Sequence, residues 1–127
     1  MVSLEELLGE LVRRSLGELE RAVVASQDGL VVAASNPSEI DDVIAALSAA
    51  VIAGCDEAFR RYMSSGVGEV VVELRDGRRA LIREVGGAVL CLVTRENPNL
   101  GLVYYLLDKY AHRIAAGFGE ARRAEGA

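Results

Sequence analysis

Residues Glu39–Met63, EIDDVIAALSAAVIAGCDEAFRRYM, read as one long helix with no obviously wet side. Ile40, Val43, Ile44, Leu47, Val51 and Ala58 recur at helical spacing and predict a stripe that rests on the rest of the domain. Ala45, Ala46, Ala49, Ile52 and Ala53 occupy much of the remaining surface, where a solvated helix would carry Lys and Glu. A helix that is apolar all round is buried on more than one side. Its second side is lined by Ala, Ser and Gly, so another helix can approach closely. In a chain of 127 residues that other helix is expected to come from a second copy.

Outward from this helix the chain divides into short elements. Ser3-Leu4-Glu5-Glu6 matches a capping box, and Leu4, Leu7, Leu8, Leu11 and Val12 follow at helical spacing, predicting a first helix to about Leu16. Glu20 to Gln27 and Leu30 to Ala34 read as strands joined by the tight turn Asp28-Gly29. After the long helix, Val67 to Arg75, Arg78 to Val85 and Ala88 to Thr94 read as three more strands, joined at Asp76-Gly77 and Gly86-Gly87. Asn97-Pro98 predicts a helix start, with Asn as N-cap and Pro at the first helical position. Val103, Leu106, Leu107, Tyr110 and Ile114 mark that helix's buried stripe, and Gly117 is its expected end. One domain over residues 1–117 and a frayed tail over 118–127 are therefore expected.

The order helix-strand-strand-helix-strand-strand-strand-helix, with two-residue turns between most strands, predicts a largely antiparallel sheet. Ala22-Val23-Val24-Ala25, Val70-Val71-Val72 and Ala88-Val89-Leu90-Cys91-Leu92-Val93 are continuous apolar runs. A sheet with one wet face would alternate instead. Helices on both faces, a three-layer α/β/α sandwich of the α+β class, satisfy that pattern.

Composition narrows function mostly by exclusion. A net charge of −5 opposes the basic face that nucleic-acid binding needs. No apolar run approaches the ~20 residues of a membrane span, and acidic Glu5 and Glu6 stand where a secretion signal is basic. A soluble cytoplasmic protein with no direct membrane insertion is the expectation. Thirteen of the fourteen basic residues are Arg, a skew that biased genome composition explains as well as interface chemistry does. Cys55 and Cys91 are isolated and read as small core residues, not as a disulfide or metal site.

No catalytic constellation is present. His112 is the one histidine and has no nucleophile or metal-ligand spacing around it. Gly66-Val67-Gly68 precedes a strand, whereas a phosphate loop follows one and opens a helix. Asp41 and Asp42 sit in the first turn of the long helix and Arg60 and Arg61 in its last, both favourable to the helix dipole. No catalytic residue, metal or cofactor is assigned.

Val24-Ala25-Ser26-Gln27-Asp28-Gly29-Leu30-Val31-Val32-Ala33-Ala34-Ser35 and the Ala-rich helix after it resemble the first hairpin and middle helix of the roadblock (dynein light-chain roadblock) family, a relative of longin and profilin-like folds. Asn97-Pro98-Asn99-Leu100-Gly101-Leu102 resembles the start of that family's last helix, and the similarity spans about Leu4 to Ala116. The resemblance implies a five-stranded antiparallel sheet with the middle helix on one face and the terminal helices on the other. It also implies dimers, with itself or a roadblock-like paralogue, in which third strands pair edge to edge and middle helices pack together. Ala46, Ala49, Ala50, Ala53 and Gly54 on the helix and Val70, Val71 and Val72 on the strand are the expected contacts.

Roadblock-like proteins bind and regulate Ras-like small GTPases or serve as scaffolds and motor light chains. The resemblance thus implies a non-catalytic homodimeric partner of such a GTPase, with Asp56, Glu57, Arg60 and Arg61 as rim contacts. A scaffold without effect on nucleotide turnover is the alternative. A small-molecule sensor is a third reading, for which only Tyr104, Tyr105 and Thr94 offer polar groups.

Overall fold

The computed structural model describes residues 2–126; Met1 and Ala127, the two ends of the expected domain and tail, lie outside the described residues. The elements are α1 (Leu4–Arg14), β1 (Leu19–Ala25), β2 (Val31–Ala34), α2 (Ile40–Met63), β3 (Glu69–Glu73), β4 (Arg79–Val85), β5 (Ala88–Thr94) and α3 (Leu100–Gly126). The five strands form one antiparallel sheet in the order β2-β1-β5-β4-β3, so β2 and β3 are its edges. The sandwich expected from the sequence is the fold observed.

The uninterrupted apolar runs divide by parity. Val23, Ala25, Val89 and Cys91 face α2 and pack with Ala45 and Ile52. Ala22, Val24, Leu90 and Leu92 face the opposite way, onto Leu8, Leu11, Val103, Leu107, Tyr110 and Ile114 of α1 and α3. Both faces of these runs in β1 and β5 are therefore covered, which is why a period of two is missing from the sequence there.

Local chemistry fixes the element ends. The Ser3 hydroxyl accepts the Glu6 N–H at 3.2 Å and caps α1. Gly29 turns the first hairpin at φ +86°, and a Cβ there would lie 3.3 Å from the Ala46 backbone, so this turn rests directly on α2. Asp41 is buried at the start of α2, where its carboxylate accepts the Ser38 N–H at 2.8 Å and pairs with Arg21 of β1 at 2.7 Å. The first-turn acid thus does more than favour the dipole: it bolts α2 to the sheet.

Several boundaries differ from expectation: α1 ends at Arg14, β3 is shortened from Val67–Arg75 to Glu69–Glu73, and both ends of α3 move. Asn97 is not a helix cap; it adopts φ +49° and donates its N–H to the Gly77 carbonyl at 3.0 Å, tying this loop to the β3–β4 turn. The cap is Asn99, whose side chain accepts the Leu102 N–H at 3.2 Å. Nor does Gly117 end the last helix, which continues to Gly126. A Cβ on Gly117 would come 3.1 Å from the Leu4 side chain, and Phe118 beyond it is buried in the core. This glycine admits α1 to close contact, and the packing of Phe118 outweighs the roughly 1 kcal/mol that glycine costs a helix interior.

Candidate functional site

α2 lies along the strands, held at its start by the Asp41–Arg21 pair and near its end by the Asp56–Val67 contact, and its burial is the reverse of the sequence expectation. The residues that rest on the sheet are Asp41, Ala45, Ser48, Ala49 and Ile52. Ile40, Val43 and Leu47, expected to be buried, are 51%, 56% and 59% exposed. The reason is steric: strands already rich in Val and Leu leave room for Ala and Ser beneath the helix. The bulky residues are displaced outward.

The outward stripe runs through Ile40, Val43, Leu47, Val51, Gly54 and Ala58 at steps of three and four residues. Beside it lies an apolar groove of about 420 Å³ between α2 and the β3–β4 edge. Ile40, Ile44, Leu47 and Val51 form one wall; Val72, Leu74, Ala80 and Ile82 form the other. Cys91 and Ser48 sit at its floor, and burial pushes the Cys91 thiol above its usual range. Both cysteines are free.

The expected contact residues are distributed unevenly over this surface. Gly54 continues the outward stripe and Ala50 borders it, both exposed. Ala46 and Ala53 are exposed farther round, toward the Gln27–Gly29 turn. Ala49 is a correction: at 5% exposure it lies against that turn inside the domain, and its small size serves the hairpin. Val70 and Val72 are half-buried and face the α2 layer, whereas Val71 points to the other face and is 46% exposed.

The four rim residues separate into two pairs. Asp56 accepts the Val67 N–H at 2.8 Å and the Arg60 guanidinium at 2.6 Å. Those two contacts, Arg60 first, lower its carboxyl pKa, and the same pairing raises that of Arg60. They fasten the end of α2 to the segment leading into β3. Glu57 and Arg61 lie on the exposed side at 3.9 Å from one another. Phe59, Tyr62 and Met63 lie at the same end of α2 on another face, exposed by 47%, 77% and 67%, a patch at spacing i, i+3 and i+4 that the reading of charged rim residues leaves out.

On the opposite face of the β3 edge, Arg83 joins Glu69 at 3.0 Å and Asp108 of α3 at 3.1 Å. Tyr104 donates to the second Glu69 oxygen at 2.9 Å. Thr94 is likewise engaged, accepting the Arg79 N–H and donating to the Arg95 carbonyl, each at 2.8 Å. His112 and Tyr105 are exposed on α3. Among the described residues no group of three His, Cys, Asp or Glu is placed to hold a metal ion, and no helix is long and apolar enough to cross a membrane.

Comparison with known proteins points the same way. Residues 4–94 match the family model of the Roadblock/LC7 domain. An uncharacterized protein of Methanocaldococcus jannaschii is 25% identical over 119 residues, covering 88% of this chain and all of that protein. A Roadblock/LC7 domain from Streptomyces avermitilis superposes with a TM-score of 0.80 at 24% identity, over 89% of this chain and 95% of that one. MglB of Myxococcus xanthus gives 0.79 at 14% identity, over 93% and 89%. An MglB described as having a tetrameric arrangement gives 0.77 at 23%, over 93% and 89%.

Proposed function

This chain belongs to the Roadblock/LC7 domain family, and from that premise we propose that it is a non-catalytic, homodimeric regulatory partner of a Ras-like small GTPase. The reading is carried by the apolar groove between α2 and the open β3 edge, flanked by Ile40, Val43 and Leu47 at more than half exposure. Large apolar side chains grouped in this way mark an interaction site. A second copy suits it because one continuous surface offers both a strand edge and a helix stripe. An isologous contact of that kind uses the same patch on both partners.

The pair of α2 helices then forms a platform for the GTPase. Glu57 and Arg61 supply its rim; Asp56 and Arg60 act by holding the helix end in place. Stimulation of hydrolysis by this platform works through ordering the GTPase's own switch loops.

The test is GTP hydrolysis by a Ras-like GTPase from the same genome, with and without this protein. A changed turnover rate together with direct binding is the expected result. Binding without a change in rate replaces regulation with scaffolding, and absence of binding overturns the proposal. The sensor reading has little support, because the Thr94 and Tyr104 hydroxyls are already engaged within the fold.

A further inference from the structure

We propose that the paired outer faces of α1 and α3 form a docking surface for an anionic lipid layer, with Arg13, Arg14, Lys109 and Arg113 meeting the headgroups and Leu16 and Tyr105 entering the interface. This surface lies across the sheet from α2. It uses none of the residues assigned to self-association or to the GTPase, so the proposed function does not depend on it.

The two helices run antiparallel. A Cβ on Gly117 of α3 would come 3.1 Å from Leu4 at the start of α1, and Arg113, one turn earlier, reaches Glu10 at 3.3 Å. The end of α1 therefore lies beside the middle of α3, which sets Arg13 and Arg14 next to Lys109 and Arg113. Arg14 also meets Glu10, at 3.9 Å, so two guanidinium groups share one carboxylate. Arg13 and Lys109 are exposed and make no ion pair with another described residue. Four of the chain's fourteen basic side chains thus stand round one of its nineteen acidic ones, in a molecule whose net charge is −5. Asp108, next in sequence to Lys109, is engaged by Arg83 of β4 at 3.1 Å. Glu5, Glu6 and Glu120 sit at the other end of the helix pair. The positive charge is local, and a local field of this kind steers an anionic partner despite the overall sign.

Charge alone would suit any polyanion, and the apolar members select lipid. Leu16 is 86% exposed, the highest value among the described large apolar side chains. Its φ of +53° lies in the left-handed region, where a bulky side chain is disfavoured. Ser15 fixes that conformation: its buried hydroxyl donates to the Val12 carbonyl at 2.6 Å and accepts the Leu19 N–H at 3.0 Å. Leu16 is thereby held in water just beyond Arg13 and Arg14, where Gly or Asn would suit the backbone better. Tyr105 is 61% exposed, and the Lys109 ammonium lies 5.9 Å from the centre of its ring. A ring with a polar tip fits the boundary between headgroups and acyl chains. A leucine gains nothing from a nucleic-acid backbone in water, whereas a lipid surface takes up cationic and apolar side chains together.

Co-sedimentation with vesicles tests the surface, using phosphatidylcholine alone and phosphatidylcholine with about one-third phosphatidylglycerol. The wild-type chain is expected to bind the mixed vesicles, to bind phosphatidylcholine about tenfold more weakly, and to be released as salt is raised. K109E should weaken binding to the mixed vesicles by about tenfold. R75E makes the same change of net charge at the exposed β3–β4 turn and should bind as the wild type does. Leu16→Asn keeps the charge and suits the left-handed backbone, so it should melt no lower than the wild type and still bind about fivefold more weakly. Equal losses in K109E and R75E would reduce the effect to net charge and overturn the patch. Undiminished binding by L16N would make the surface a general polyanion site, nucleic acid included, and overturn the assignment to lipid. No binding to the mixed vesicles overturns the proposal outright, whatever the GTP hydrolysis assay returns.

Discussion

Glu18 carries more of the fold than its place between α1 and β1 suggests. It is 8% exposed, pairs through its carboxylate with Arg95 and accepts the backbone N–H of Asn99. One side chain thereby joins the start of β1 to the end of β5 and to the cap of α3. Arg95, and next the Asn99 N–H, lower its carboxyl pKa from an ordinary value of 4.5. A depressed native pKa means that the unfolded chain takes up the proton first. The stabilisation is therefore complete above about pH 4.5 and fades as the pH falls through the lowered native value. Asp56 and Asp76 shift in the same direction, through Arg60 for the first and the Arg78 N–H for the second, and add to this acid sensitivity. Glu18→Gln removes one contributor. Thermal unfolding followed from pH 7 to pH 3 should show a lower midpoint for the variant at neutral pH and a smaller difference from wild type at acid pH. Parallel curves would show that Glu18 does not govern the acid limb.

At the scale of elements, α2 has two apolar faces with unequal side chains, and this is where the sequence was least legible. Hydrophobic spacing locates the helix, its length and both of its neighbours. It cannot say which stripe meets the sheet, because Ala45-Ser48-Ala49-Ile52 and Ile40-Val43-Leu47-Val51 both recur at helical spacing. Spacing alone puts the larger stripe inward. The strands beneath α2 decide otherwise, since Val23, Val89 and Ile82 fill the interlayer space and admit only small partners along most of the helix. The strand runs, the Asp-Gly turns and the layer order were readable because each expresses a local rule. The groove joins α2 to strands at least twenty residues away and could be found only once they were placed together. Two substitutions separate the faces. Ala49→Leu forces bulk under the Gly29 turn and should cost roughly 1–3 kcal/mol of stability in denaturant unfolding. Leu47→Glu keeps a good helix former at a position 59% exposed; it should leave the stability of an isolated subunit within about 0.5 kcal/mol while abolishing self-association. If the two variants behave alike, the faces have been assigned wrongly.

For the molecule as a whole, pairing of two copies through the groove and open edge, as proposed, predicts that folding is coupled to concentration. A surface that is apolar in the isolated subunit and covered in the pair makes the partner a ligand of the native state alone, and such a ligand stabilises by mass action. Unfolding of a tight dimer to two chains then has a midpoint that depends on protein concentration, whereas a monomer's does not. Globular proteins absorb roughly 0.7 kcal/mol per residue on unfolding near 60 °C, so two chains of 127 residues absorb roughly 180 kcal/mol together. With that enthalpy, a tenfold increase in concentration should raise the midpoint by about 3 °C. Calorimetry or circular dichroism between about 1 and 100 μM covers two such steps and should move the wild-type transition by about 6 °C. Leu47→Glu should melt at one temperature throughout, below the wild-type midpoint at every concentration at which the wild type is paired. A wild-type midpoint that stays fixed across the range would mean that the exposed stripe of α2 is not buried in a second copy, and its occupant would have to be sought among other proteins.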